Sequence, residues 1–196
     1  LHISKLRLRA ALEELERRNH QLEIEIEERR RVEKQIRHMA THDALTGLGN
    51  RILFVEHLSR VRSQAERHGK AFALLYIDID GFKQVNDHHG HGMGDRLLCA
   101  IAQRLRANLR HEDFAVRLSG DEFAVIMVDL PEGEVALRQG ERLCRALREP
   151  YGVSHAGRSA TVTVGASIGI ALYPDHALDE AELIRLADTA MYQVKQ

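Results

Sequence analysis

The chain has 196 residues, 44% of them apolar, and a formal net charge of −1. That is room for one domain plus an extension, with apolar residues enough for a core. A balance so near zero lacks the basic excess of a nucleic-acid binder, so no nucleic-acid partner is expected. No apolar run approaches the length of a membrane span, so no membrane segment is expected. The N-terminus is charged from its start and does not read as a secretory signal. A cytoplasmic location follows as the expectation, either for this piece alone or for the cytoplasmic part of a larger sensor protein. Cys99 and Cys144 lie inside apolar helical patterns and read as reduced core residues, with no disulfide framework and no metal spacing.

Residues 1–40 carry no Gly or Pro and read as one helix. Leu8, Leu12, Leu15, Asn19, Leu22 and Ile26 alternate at spacings of four and three, the seam of a coiled coil. Asn19 falls on that seam, where a lone Asn fixes register and dimer state. After Ile26 the pattern slips. Arg29 and Glu33 take the next seam positions, while Val32, Ile36 and Met39 start a new phase, and such a slip changes the supercoil locally. The bland alternative is a solvated single helix. The sharper reading is a homodimer stalk over 1–40 that passes rotation or register to a second domain, 41–196.

The rest mixes helices and strands. Phe54, Leu58, Val61 and Ala65 mark an amphipathic helix. Phe72 to Asp78 reads as a strand buried on both faces. Leu97, Ile101, Leu105 and Leu109 mark a second helix. Phe114 to Leu118 and Phe123 to Val128 read as strands joined by the acidic turn Ser119-Gly120-Asp121-Glu122, a hairpin. Val135 to Leu147 is a third helix, Thr161 to Ala171 a strand, and Ala181 to Val194 a last helix. This order predicts an α/β (α+β) fold: a central, mostly antiparallel sheet surrounded by helices.

Three acids draw attention. Asp78 ends the first buried strand, and Asp121 and Glu122 sit at the hairpin tip. Taken singly, each acid is more simply the dressing of a turn. Together, on strands that give no other reason for acids, they point to a metal site. Hard carboxylates suit Mg²⁺, which prefers a few protein oxygens and completes its shell with substrate phosphates. Gly81 would let backbone N–H groups approach a phosphate closely, and Lys83 would meet its charge. Asn86 and Asp95 suit a base edge, since a carboxylate accepts from the N–H and amine that guanine offers. His88, His89 and His91 match no zinc spacing.

Six segments, in order, resemble the GGDEF domains, the diguanylate cyclases. They are His42 to Arg51, Asp78 to Asp87, Gly90 to Asp95, Arg117 to Phe123, Ser167 to Ala171 and Ala187 to Tyr192, and the resemblance covers nearly all of 41–196. It implies a fold similar to nucleotidyl cyclase and polymerase palms. It implies two GTP condensed to cyclic di-GMP and two pyrophosphates at the interface of a dimer, each domain supplying one GTP. It implies two Mg²⁺ ions per site, with Mn²⁺ as a substitute, held by Asp78, the Ile79 carbonyl, Asp121 and Glu122. Asp121, with Glu122, would be catalytic and would help deprotonate the attacking 3′-hydroxyl. Asn86, Asp95, His91 and Phe82 would line the guanine pocket, Lys83 and Lys195 would contact the triphosphate, and Gly120 would let substrate lie against the hairpin. The resemblance also implies an inhibitory product site, Arg-x-x-Asp, at Arg110 and Asp113, with Arg142 as a second arginine.

Two departures stand out. Ser119 replaces the first glycine of the signature, adding a hydroxymethyl where the family usually has none. The chain also ends at Lys195-Gln196, where family members continue for a few more residues, some basic. The alternative is a catalytically silent GTP- or cyclic di-GMP-binding regulatory module of a larger signalling protein, with which the intact acids disagree. A cyclase preferring adenine is a further rival, against which Asn86 and Asp95 argue.

Overall fold

The computed structural model describes the backbone of residues 2–195 and the side chains from residue 14 onward, Glu16 excepted. The chain forms two compact units, 1–40 and 41–196.

In the first unit α1 (His2–Thr41) runs 40 residues without a break, about 60 Å at 1.5 Å per residue. Leu15, Leu22, Ile24, Ile26, Val32, Ile36 and Met39 are all 45% exposed or more. A single copy thus leaves its apolar positions in water. Leu8 and Leu12 of the expected seam lie outside the described side chains.

The second unit contains α2 (Arg51–His68), β1 (Ala71–Asp78), α3 (Phe82–His89), α4 (His91–Asn108), β2 (Phe114–Ser119) and β3 (Glu122–Leu130). It continues with α5 (Gly133–Arg148), β4 (Tyr151–His155), β5 (Arg158–Val162), β6 (Ser167–Tyr173) and α6 (Glu180–Lys195). The four-stranded sheet has the order β2-β3-β1-β6, with every neighbouring pair antiparallel. The expected sheet and helical layers are therefore present.

Strand alternation sorts the core into two layers. On β1, Ala73, Leu75 and Ile77 join Phe123 and Val125 of β3 under α4 and α5. Phe72, Leu74 and Tyr76 join Ala124 and Ile126 on the opposite face, under α2 and α6. Buried on both faces, β1 is apolar until Asp78, which is what lets that one acid stand out. Gly169 of β6 has no room for a side chain: an added Cβ would lie 2.0 Å from the Ala187 carbonyl oxygen and 2.2 Å from the Met191 nitrogen. Helix α6 therefore lies backbone to backbone on β6.

Two expectations need correction. The stretch after Gly81, for which the sequence pattern predicts no helix before Leu97, is helix α3, separated from α4 by Gly90 alone. Gly81 and Gly90 take φ of +83° and +85°, so these glycines bound helices rather than mark an open loop. The single strand expected over Thr161 to Ala171 is two strands, β5 and β6, with the chain out of strand geometry between them. There Gly165 exchanges two backbone hydrogen bonds with Asp80, each 3.1 Å. Strand β4 pairs with β5 in a separate two-stranded sheet. Its sequence signal is weak because only Tyr151 and Val153 of its five residues are apolar, and these two are buried in the α4 layer. Among the described residues no helix is long and apolar enough to cross a membrane.

Candidate active site

The carboxylates gather where β1 ends against the β2–β3 turn. Asp78 stands opposite Glu122 in the β1–β3 register, and Ser119 stands opposite Glu122 in the β2–β3 register. By alternation Asp78 and Glu122 share the α6 face. Asp78 is 6% exposed, and its Oδ1 accepts a 2.7 Å hydrogen bond from Lys195 Nζ at the end of α6. That bond holds the Lys195 ammonium to its charge above the ordinary lysine range. Asp121 fills the two-residue turn with Gly120, whose φ of +42° suits glycine there. The Asp121 carbonyl accepts from the Ile79 amide at 3.2 Å, tying the hairpin tip to the end of β1. Burial pushes the Asp121 carboxyl up, and the Asp78 and Glu122 charges add to this against its own amide and Lys195.

This donor set is all hard oxygen, and it is short of positive charge. Among the described residues no three His, Cys, Asp or Glu side chains close on a common point. All-oxygen donors of this kind are those a hard divalent cation prefers. The charges of Asp78 and Glu122 are ones that a bound cation would offset.

Next to the acids, Gly81 begins α3 with no side chain capping its first turn. Phe82 and Asn86, one helical turn apart, both press on Gly94 of α4. A Cβ at Gly94 would lie 1.9 Å from Asn86 Oδ1 and 3.3 Å from the Phe82 ring. Asn86 Oδ1 is buried and has no hydrogen-bond partner among the described residues, a cost that a ligand donor would remove. Lys83, His91 and Asp95 are exposed on the same two helices.

Arg110 and Asp113 line a cleft of about 260 Å³ with Gly47, Leu48, Arg106 and His111. Asp113 accepts from the Arg110 amide at 3.0 Å, and burial pushes its carboxyl up despite that bond. Arg142 is not among the residues lining this cleft; it donates to the Asn108 carbonyl at the end of α4.

Sequence reasoning assigned no role to several residues that build the site. Arg117 Nη1 holds both Asp43 oxygens at 3.1 Å, while its Nε donates to the Gly120 carbonyl at 2.9 Å. The start of the domain and the hairpin tip thereby share one guanidinium. Asp43 also accepts from the Thr46 amide at 2.8 Å and hydroxyl at 2.6 Å. Ser167, buried beside Asp78 in the β1–β6 register, donates to both Asp80 oxygens at 2.9 and 3.1 Å. All of these residues sit inside the motifs, but their pairing across the chain has no sequence spacing to reveal it.

The family described as "Diguanylate cyclase, GGDEF domain" matches residues 40–196. The diguanylate cyclase TpbB of Pseudomonas aeruginosa is 44% identical over 159 residues, 81% of this chain. The chain spans only 36% of the length of that relative. The solved GGDEF domain of TpbB superimposes with a TM-score of 0.75, covering 79% of this chain and 88% of that one. The coiled coil and GGDEF domain of DgcB from Caulobacter crescentus, solved in complex with c-di-GMP, gives 0.82 at 29% identity, covering 92% and 94%. With four-fifths of the chain matched and the acidic turn closed against β1, the chain belongs to the GGDEF family of diguanylate cyclase domains.

Proposed function

We propose that this domain condenses two GTP into cyclic di-GMP and two pyrophosphates, working in the cytoplasm as a pair of domains brought face to face. The observation that carries the reading is the undercompensated acid cluster: Asp78 and Glu122 side by side, with Asp121 raised beside them. Asp78, the Ile79 carbonyl, Asp121 and Glu122 would hold Mg²⁺, or Mn²⁺ in its place. Once bound, the cation offsets phosphate charge and favours the attacking alkoxide.

The chain's own groups do the remaining work. Asp121 is the base for the 3′-hydroxyl, since a carboxyl raised above its ordinary range accepts a proton more readily. Lys195 and Lys83 meet the triphosphate, and Gly120 keeps the hairpin tip low enough for substrate to lie against it. Asn86 offers its orphaned Oδ1 to the guanine edge, with Asp95 accepting beside it and Phe82 and His91 lining the pocket. Each product molecule has two-fold symmetry, so a second loaded domain must supply the other half. The exposed positions of α1 support a homodimer stalk that raises the effective concentration of that partner. The cleft at Arg110 and Asp113, with Arg142 as a second arginine, would take the product as a brake.

The protein incubated with GTP and Mg²⁺ should yield cyclic di-GMP by chromatography. GTP binding without product would establish the silent regulatory module instead. Product from Asp121→Ala would sink the metal assignment. Arg110→Ala should relieve product inhibition and raise the late yield; unchanged inhibition refutes the brake.

A further inference from the structure

We infer that Ser119 is a positioning residue, holding the Glu122 carboxylate in place for a divalent cation through its own hydroxyl. The inference rests on the reading of Glu122 as a cation ligand. Ser119 Oγ donates to Glu122 Oε2 at 2.7 Å, the short distance of a hydroxyl donating to a charged oxygen. The bond joins residues that face each other across the turn, and the ladder is irregular just before Ser119. It engages Oε2 and leaves Oε1 for the cation.

The arrangement is symmetrical in its logic. Asp78 and Glu122 are adjacent register partners on β1 and β3, and like charges set opposite each other repel. Each accepts a hydrogen bond from one side-chain donor: Asp78 from Lys195 and Glu122 from Ser119. A glycine at position 119 would leave Glu122 to sample rotamers that a cation must then freeze. The serine therefore replaces bulk-free backbone with a hydrogen bond that orders a ligand in advance, as outer-shell donors do around metal sites.

The test is Mn²⁺ titration, followed by the electron paramagnetic resonance signal of free Mn²⁺, in the presence of 3′-deoxy-GTP, which cannot be cyclised. Ser119→Ala and Ser119→Gly should weaken Mn²⁺ binding by roughly tenfold, the low end for an outer-shell partner because the pair is exposed. Ser119→Thr, which keeps the hydroxyl, should restore it. Glu122→Gln should weaken binding as well, and adding Ser119→Ala to it should cost nothing further. Wild-type affinity in Ser119→Ala, or tighter binding, overturns the role of the serine while leaving the cation site standing. An unchanged Glu122→Gln, or no Mn²⁺ binding by the wild type, overturns the cation site and the serine's role together.

Discussion

Asp43 and Asp121 are the same residue type, joined through Arg117 and the hairpin tip, yet their surroundings shift the two carboxyls in opposite directions. Burial alone would raise Asp43, but Thr46 and Arg117 outweigh it and hold its carboxyl below the ordinary range. Burial raises Asp121 too, and there Asp78 and Glu122 push it further against its own amide and Lys195. Asp43 accepts four hydrogen bonds, three at Oδ1 and one at Oδ2. Asp121 has its own amide and the Lys195 charge set against two acids. A carboxylate well supplied with donors holds the fold together; one set among other acids is suited to a cation.

The sharpest way to break this contrast is to neutralise each acid in turn. Asp121→Asn should lower cyclic di-GMP synthesis by about a thousandfold, yet leave urea stability at neutral pH unchanged or slightly raised, because a repelled charge is gone. A clear loss of stability would show that Asp121 is structural. Asp43→Ala should do the reverse. It should cost about 2 kcal/mol of unfolding free energy by stranding Arg117, which is mostly buried, and lower synthesis only as far as the Gly120 carbonyl moves. Full stability in that variant would remove the distinction.

A smaller effect is expected at Gly94→Ala. The added methyl must displace Asn86 Oδ1, so KM for GTP should rise about tenfold and discrimination against ATP should fall, with Mn²⁺ binding intact. An unchanged KM would remove Asn86 from base recognition. The smallest is a pH effect. Asp43 has a lowered folded pKa, so its contribution is present above the unfolded value, about 3.9, and fades as pH falls through the folded one. Asp121 has a raised folded pKa, so its contribution is present below the unfolded value and is lost as pH rises through the folded one. Asp43→Asn should therefore flatten the acid limb of the stability profile, while Asp121→Asn should gain on the wild type toward neutral pH. Profiles parallel to the wild type would contradict both signs.

The layers and the acid cluster are readable in the sequence because both depend on short-range pattern. The alternation of β1 and the lone acid at its end are plain in the order of residues. So is the turn at Gly120. What the sequence hides is long-range. Arg117 and Asp43 lie 74 residues apart, and Asp80 and Ser167 lie 87 apart. No periodicity encodes such pairs. Helix α3 is hidden for a different reason, since its bounding glycines resemble a phosphate loop as much as two caps. Ser119 is legible as an oddity, but its partner is not, because only the register across the turn puts its hydroxyl on Glu122.

Gly169 bears on all of this at a distance. The missing methyl there fixes how closely α6 rests on β6, and Lys195 is two helical turns beyond Ala187, about 12 Å along the axis. The ammonium meets Asp78 at 2.7 Å, so a raised helix keeps that bond only as far as the lysine stem can extend to follow it. The spacing at one glycine acts as a ruler for the far end of the helix. Small changes on the outer surface of α6, well removed from any acid, therefore have a mechanical route to the charge at the centre of the site.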